Sequence, residues 1–228
     1  MALAIGAAAY VGVEYGAGSA LVPTTCRWCG ASSIEGGVRD ALRWDHVERA
    51  DLASDVTGRG LAPALAIGAG LLAGHGGDAG RWFDVGAPIA EAWLATSIVT
   101  QAIKLAAARR RPYALHAAAA VEPGSEDNQS FVSGHTSTAA ALVAAAGAVL
   151  RQRGHRGAAT ATWIAGGVVV AATGYFRIAA DAHHAGDVLA GAALGAGLGL
   201  LVPWLGGRDD DAPHLVVSDR AIALAGSW

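Results

Sequence analysis

Six long apolar blocks alternate with polar segments along the chain. They cover residues 3–22, 61–77, 85–108, 136–150, 158–176 and 185–205. Several blocks reach the length of about 20 residues that a helix needs to cross the hydrocarbon core of a membrane. Apolar residues occur on all sides of the blocks, as expected for helices that face lipid or other helices. The pattern predicts an all-α fold, a polytopic membrane bundle of about six transmembrane helices.

The composition supports a membrane protein. The 228 residues are 53% hydrophobic and only 15% charged, whereas soluble domains contain roughly 25% charged residues. Small residues recur inside the blocks, for example Gly191, Gly195 and Gly199, and such residues let membrane helices approach closely. A soluble, Ala-rich helical bundle is the alternative interpretation.

The two ends of the chain differ from the apolar blocks between them. We predict three units, namely residues 1–60, 61–205 and 206–228. The first unit combines a retained membrane helix with a charged segment. We favour a membrane helix over a signal peptide because no basic residue precedes the apolar stretch. In that segment Ile34, Val38 and Leu42 have helical spacing, which predicts an amphipathic helix at the membrane surface or a soluble connecting helix. The second unit is the core, and the third is a polar, loosely ordered tail.

Charge and cysteine content exclude two classes of function. The net charge is −3, and no basic stripe interleaved with aromatic residues indicates nucleic-acid binding. Cys26 and Cys29 are the only cysteines, whereas a structural zinc site takes four ligands. We therefore favour a local disulfide or two free thiols at this position over a metal site or a redox role.

Arginines after the fourth block indicate the topology. Arg151, Arg153 and Arg156 lie in one short loop, and short loops rich in basic residues remain in the cytoplasm. With six spans, the three polar motifs described next would share the opposite face. The sequence thus predicts a bacterial inner-membrane protein whose active site faces the periplasm or exterior.

The first polar motif is basic. Lys104 is the only lysine among 16 basic residues, and it lies seven positions before Arg111. On one helix that spacing would put both groups on the same face, and Pro112 would end the helix. A Lys point charge and an Arg fork both suit phosphate oxygens. Arg109 and Arg110 complete the basic cluster, for which snorkelling at the membrane boundary is the alternative explanation.

The second motif opens the fourth apolar block. Ser133, Gly134 and His135 follow one another there. Ser is a good helix N-cap, Gly permits close backbone approach, and the N–H groups of a helix start can hold an anion. An imidazole beside them could protonate a departing oxygen. A simple N-cap with a surface histidine is the alternative.

The third motif combines a cation, two imidazoles and a carboxylate. Arg177 precedes His183 by six residues, and Asp187 follows His183 by four. A carboxylate at that spacing on a helix could hold one imidazole nitrogen and leave the other free to attack phosphorus. His184 is the less natural partner of the carboxylate. Ionisable groups within an apolar chain are costly and therefore indicate function.

Together the three motifs resemble the signature of the type 2 phosphatidic acid phosphatase and vanadium haloperoxidase superfamily. The shared patterns are Lys-x6-Arg-Pro, Ser-Gly-His and Arg-x5-His-x3-Asp, and they span most of residues 60–205. The resemblance implies an all-helical core and, in the lipid-phosphatase branch, six membrane spans. It also implies a metal-independent lipid phosphatase that works through a phosphohistidine, with no cofactor, a lipid phosphate as substrate and the bilayer as partner.

The resemblance assigns roles to individual residues. His183 would be the nucleophile, Asp187 its orienting carboxylate, and His135 the acid that protonates the leaving group. The groups that would bind phosphate oxygens are Lys104, Arg111, Ser133, Gly134 and Arg177. The alternatives are a phosphotransferase of the same family, a vanadate-dependent haloperoxidase and a catalytically silent membrane scaffold. The sequence names neither the lipid nor the oligomeric state.

Two positions depart from the family pattern. Val132 stands where a Pro often precedes Ser-Gly-His, and Phe176 stands where a Ser usually precedes the arginine. We expect Val132 to change only the stiffness of the loop. Phe176 removes a possible hydroxyl donor to phosphate, which would weaken phosphate binding modestly.

Overall fold

The computed structural model describes residues 21–117 and 126–206, together with the backbone of residues 214–217 and 222–225. The first predicted apolar block lies almost entirely outside these residues. The helices are α1 (Ser33–Leu42), α2 (Val47–Asp55), α3 (Ala62–Gly74), α4 (Ala79–Ala107), α5 (Pro112–His116), α6 (Gly134–Gln152), α7 (Arg156–Ala179) and α8 (Ala185–Gly206). A π-helical turn over Val56–Leu61 joins α2 to α3, and a 3-10 turn over Glu126–Asn128 precedes α6.

The membrane domain is all-α, as predicted. The five apolar blocks after the first correspond to α3, α4, α6, α7 and α8. Among the described residues, three helices are long and apolar enough to cross a membrane, namely Val47–Gly74, Arg156–Ala179 and Ala185–Gly206. The count of six spans stays a prediction.

The second apolar block begins earlier than its hydropathy indicates. The helix runs without interruption from Val47 to Gly74, so it crosses the boundary predicted between residues 60 and 61. Its π-helical turn packs against α6 and α7. A side chain at Gly58 in that turn would stand 3.0 Å from Thr173 of α7, so glycine permits this close packing. The polar second half of the N-terminal segment is therefore structurally continuous with the core.

Helix α6 is the centre of the bundle and packs against α3, α4, α7 and α8. Its closest neighbour is α8, through a row of glycines spaced four residues apart. A Cβ on Gly191 would lie 2.7 Å from the Ser133 carbonyl oxygen, and one on Gly199 would lie 2.5 Å from that of Ala141. A Cβ on Gly195 would overlap the Ser137 carbonyl oxygen. The small-residue pattern in the sequence therefore marks a helix–helix contact, as predicted.

Helix α1 docks on the core through its polar face. Ser32 and Glu35 form a capping box at its start. One turn later, Arg39 makes two hydrogen bonds of 2.6 Å to the Asp181 carboxylate. On the opposite side Ile34 is 77% exposed. The predicted helix is thus present, and it contacts the core through charges while an apolar side chain faces outward.

The tail differs from the prediction. Strands β1 (His214–Val217) and β2 (Ile222–Ala225) form an antiparallel pair in which His214 lies opposite Ala225. The expectation of a loosely ordered tail rested on its acidic residues, whereas the two strand segments are runs of Leu, Val, Ile and Ala. Val216, Val217 and Ile222 are β-branched, and such residues favour extended backbone.

Substitution of Gly195 by Ala tests whether this glycine is needed for the close contact between α8 and α6. We expect Gly195→Ala to destabilise the protein by about 1–3 kcal/mol, the usual cost of overpacking a core, because the new Cβ meets the backbone of α6. Gly197→Ala is the matched control, since no atom lies within 4 Å of a Cβ there. Thermal unfolding in detergent would measure both. An equal Tm for the two variants would contradict the glycine contact.

Candidate active site

The three polar motifs meet at one end of the bundle. They lie at the carboxyl end of α4, the amino end of α6, the carboxyl end of α7 and the amino end of α8. The loop with Arg151, Arg153 and Arg156 follows the other end of α6, about 28 Å away for a helix of this length. The motifs and this loop therefore lie at opposite ends of the bundle, and the side of the membrane stays a prediction.

A cavity of about 960 Å³ opens among these motifs. Its polar end is lined by Lys104, Arg111, Glu126, Gly134, His135, Arg177 and His183. Its remaining wall comes from α3, α4 and α6 and includes Ile67, Leu71, Ile89, Trp93 and Leu142. One compartment thus combines a cluster of cations and imidazoles with a long apolar surface.

The start of α6 lies beside the lysine. The Lys104 Nζ atom lies 3.6 Å from the place that a Cβ would take at Gly134. Ser133 is the N-cap of α6 but makes no capping bond with its side chain. Its hydroxyl pairs with that of Thr136 at 2.9 Å, and it is fully buried. Gly134 thus lines the cavity, whereas the Ser133 hydroxyl does not.

The prediction that Lys104 and Arg111 share one helix is wrong. Helix α4 ends at Ala107 because Ala108 adopts a left-handed conformation with φ of 44°. Pro112 then begins the next helix, with Arg111 as its N-cap, because proline has the φ value of a first helical position. The two cations still line the same cavity, and the chain reversal brings them together.

Arg111 binds the carboxylate of Glu126 in the polar end of the cavity. Its Nη2 atom donates to Glu126 Oε2 at 2.5 Å, and its Nε atom donates to the carbonyl oxygen of the same residue at 3.0 Å. Burial raises the pKa of the Glu126 carboxyl, but Arg111 and the other cations outweigh it, so the pKa is lowered overall. The carboxylate is therefore ionised and balances the guanidinium charge.

Arg177 is held from α2. Its Nη1 atom donates to the Asp51 carboxylate and, at 3.1 Å, to the Ser54 hydroxyl oxygen. Its Nε atom is buried and has no hydrogen-bond partner among the described residues. An unpartnered, buried N–H at the edge of a cavity is suited to an anionic ligand. The hydroxyl of Ser54 therefore contacts Arg177, as the acceptor of a hydrogen bond. In the family pattern the serine directly precedes the arginine, whereas Ser54 lies on α2.

His183 has a different partner from the one predicted. Its Nδ1 atom lies 2.7 Å from the Ser130 carbonyl oxygen but 3.7 Å from Asp187 Oδ2. The helical-spacing argument fails because α8 begins at Ala185, so His183 precedes the helix. Since a carbonyl oxygen only accepts, Nδ1 carries the proton and Nε2 keeps a free lone pair. His183 is 2% exposed, and burial lowers its pKa well below 6.5.

Asp187 organises the turn around His183 without bonding to the ring. Its carboxylate accepts hydrogen bonds from Arg109 Nη1 at 2.5 Å, from the Ser130 hydroxyl at 2.5 Å and from the His184 backbone N–H at 3.0 Å. The His184 ring lies beside the Arg110 carbonyl oxygen at 3.1 Å. Asp187 thus orients His183 through Ser130, whose carbonyl holds the ring.

His135 pairs with a carboxylate that sequence reasoning missed. Its Nε2 atom lies 2.7 Å from Asp55 Oδ1, which leaves Nδ1 for a ligand. Asp55 ends α2, one turn after Asp51, so α2 supports both His135 and Arg177. A signal was available, since two acidic residues four apart lie just before an apolar block. We interpreted that stretch as a surface segment.

The arginine cluster divides into two roles. Arg111 lines the cavity, whereas Arg109 is completely buried between the carboxylates of Asp187 and Glu35. Its guanidinium also stacks 3.7 Å from the centre of the Trp28 ring. Arg109 therefore supports the site from behind and does not line the cavity.

Among the described residues, no group of three or more His, Cys, Asp or Glu side chains could hold a metal ion. Cys26 and Cys29 are joined by a disulfide, one of the two states expected from the sequence.

Comparisons with known proteins agree with the geometry. The model of the PAP2 superfamily matches residues 86–210, more than half of the chain. The fold is similar to the crystal structure of a transmembrane PAP2-type phosphatidylglycerolphosphate phosphatase from Bacillus subtilis, with a TM-score of 0.56 and 21% identity. The similarity covers 88% of this chain and 90% of that one. No curated protein matches the sequence.

Loss of the buried guanidinium should unfold this end of the bundle. We expect Arg109→Gln to destabilise the protein by about 3–5 kcal/mol, the usual cost of leaving a buried carboxylate unpaired. Arg110→Gln is the matched control, because Arg110 makes a hydrogen bond to the Ala114 carbonyl oxygen and no buried ion pair. Denaturation in detergent would compare the two, and similar losses of Tm would refute the special role of Arg109.

Proposed function

The chain belongs to the PAP2 superfamily, and from this premise we propose that it is a membrane lipid phosphatase with a histidine nucleophile. Its substrate would be a phosphomonoester or diphosphate lipid of the phosphatidic acid, phosphatidylglycerol phosphate or undecaprenyl diphosphate type. Membership in the family and a membrane-type helical fold support a phosphatase in general. The particular chemistry rests on the site itself.

The observation that carries the proposal is the composition of the cavity. Lys104, Arg111 and Arg177 line one end together with both motif histidines, and the wall from α3 and the first half of α4 is mostly apolar. Three cations at one end match the charge of a phosphate group. The apolar wall matches a hydrocarbon chain, because burying apolar surface is favourable by about 25 cal/mol per Å². A lipid phosphate has both parts in one molecule.

His183 is suited to nucleophilic attack on phosphorus. Its Nδ1–H donates to the Ser130 carbonyl oxygen, so Nε2 bears the lone pair. In the proposed first step Nε2 forms a bond to phosphorus as the bond to the lipid oxygen breaks, which gives a phosphohistidine. Lys104, Arg111 and Arg177 would stabilise the negative charge on the other phosphate oxygens, an effect that dominates catalysis of phosphoryl transfer.

His135 would supply the proton that the leaving lipid oxygen needs. Asp55 holds one nitrogen of this ring, which fixes the orientation of the ring and leaves the other nitrogen for the lipid oxygen. In the second step the neutral ring would accept a proton from water as the water oxygen attacks phosphorus. The bond between phosphorus and Nε2 then breaks, which releases phosphate and restores His183. No metal takes part in this scheme.

Replacement of His183 is the direct test of the nucleophile. We expect His183→Ala to abolish phosphate release from a panel of lipid phosphates and diphosphates, in the presence of a metal chelator throughout. His184→Ala is the matched control and should retain most activity, because that ring contacts a backbone carbonyl outside the cavity. Substantial turnover by folded His183→Ala protein would remove His183 from the nucleophile role. Sensitivity of the native protein to chelator would contradict metal independence.

The protonation of His183 predicts the pH profile. Burial lowers the pKa of this imidazole well below 6.5, so it stays neutral in the folded protein as the pH falls through that value. We expect the acid limb of kcat/KM to lie below pH 6.5. The same shift should reduce stability as the pH falls below 6.5, because the unfolded chain then binds a proton that the folded chain does not. An acid limb at or above that pH would contradict the assignment.

A further inference from the structure

A small disulfide-closed loop lies against the end of α4. The backbone N–H of Arg27 donates to the Ala108 carbonyl oxygen at 3.0 Å, and that of Arg110 donates to the Trp28 carbonyl oxygen at 3.0 Å. The Arg27 guanidinium also donates to the Ala106 carbonyl oxygen at 2.8 Å. These bonds pair the loop with the segment where α4 stops and the chain turns toward Arg111.

The ring of Trp28 contacts two motifs at once. It lies 3.7 Å from the guanidinium carbon of Arg109 and 5.5 Å, centre to centre, from the ring of Phe131. A cation over an indole face is attracted by the negative charge of that face. Phe131 directly follows Ser130, whose carbonyl oxygen holds the ring of His183. The indole therefore packs against the residues that position the imidazole.

A continuous set of short bonds leads from this loop to the imidazole. Arg109 Nη1 donates to Asp187 at 2.5 Å, and the Ser130 hydroxyl donates to the same carboxylate at 2.5 Å. The Ser130 carbonyl oxygen then accepts from His183 Nδ1 at 2.7 Å. Every member is buried, so a shift at Arg109 is carried to the ring and not absorbed by solvent.

We infer that the loop closed by Cys26 and Cys29 is a positioning element of the active site, with Trp28 as its positioning residue. This inference rests on the proposed phosphatase function. Trp28 does not line the cavity and so acts through Arg109. The disulfide restricts the loop to conformations in which the indole reaches Arg109. Opening the disulfide lowers turnover by loosening the nucleophile, while the cations that bind phosphate stay in place.

The disulfide is accessible to a reductant, because Cys29 is exposed and Cys26 is partly exposed. A dithiol such as dithiothreitol attacks one sulfur through its thiolate and displaces the other. The second thiol of the reagent then closes its own disulfide. The protein gains two electrons and two protons as two free thiols, and the reagent is oxidised by the same amount.

Kinetics of the full chain in detergent micelles test the inference, with dioctanoyl phosphatidic acid as substrate. We expect Trp28→Leu to lower kcat about tenfold, a loss of about 1.4 kcal/mol of transition-state stabilisation, with KM nearly unchanged. Trp28→Phe should restore most of kcat, since a ring can still stack on Arg109. Dithiothreitol should lower kcat of the native protein in the same way.

Two controls separate positioning from folding. The double variant Cys26→Ser and Cys29→Ser should have the low kcat of the reduced protein and no response to dithiothreitol. Trp163→Leu removes an indole that donates to the Ala144 carbonyl oxygen, away from the cavity. It should lower Tm without changing kcat.

Hydrogen exchange gives a readout that does not depend on turnover. Backbone amides in residues 106–110 and 183–187 should exchange faster in Trp28→Leu and in reduced native protein. If the native protein releases no phosphate from any lipid of the panel described above but exchange still rises, the proposed function fails and the positioning role stands. The positioning role is overturned if the native protein releases phosphate but Trp28→Leu and dithiothreitol both leave kcat and the amide exchange rates unchanged.

Discussion

The buried ion pair between Arg109 and Asp187 is the interaction on which the site depends. Both side chains are completely buried, and Nη1 lies 2.5 Å from Oδ1. Removing two charges from water is costly, so the stability of the pair depends on further bonds to Arg109 Nη2 and to Asp187. Glu35 binds the other guanidinium nitrogen, and Ser130 binds the other carboxylate oxygen. The N-terminal segment, the end of α4 and the start of α8 are therefore held together by one network.

Close helix packing sets where that network lies. The glycine row of α8 lets its backbone approach α6, and Ser133 N–H donates to the Asp187 carbonyl oxygen at 3.0 Å. Gly58 allows the π-helical turn to pack against α7, which places the end of α2 beside His135. Local π-helical geometry often occurs at functional sites. Small residues in the bundle thus determine which polar groups can meet at its end.

Sequence reasoning predicted the helical core and the family because its signals are local. Apolar blocks and motif spacings are read within one segment. Three features were not predictable in that way. The left-handed conformation of Ala108 ends the helix that carries Lys104, so Arg111 does not lie on that helix as expected. The carbonyl partner of His183 carries no side-chain signature. Asp51 and Asp55, which hold Arg177 and His135, lie on a helix about 80 residues before His135. A contact between residues so far apart leaves no periodic pattern in a single sequence.

The charges around the cavity explain why the core motifs need the polar N-terminal segment. Arg111, Arg177 and His135 each lie against a carboxylate. An unpaired cation would be costly at the end of an apolar bundle, so the acidic partners stabilise the cations without a ligand. Two of these partners lie on α2, outside the three family motifs. The motifs thus supply the cations and imidazoles of the cavity, and the polar helix before them makes it possible to bury those groups.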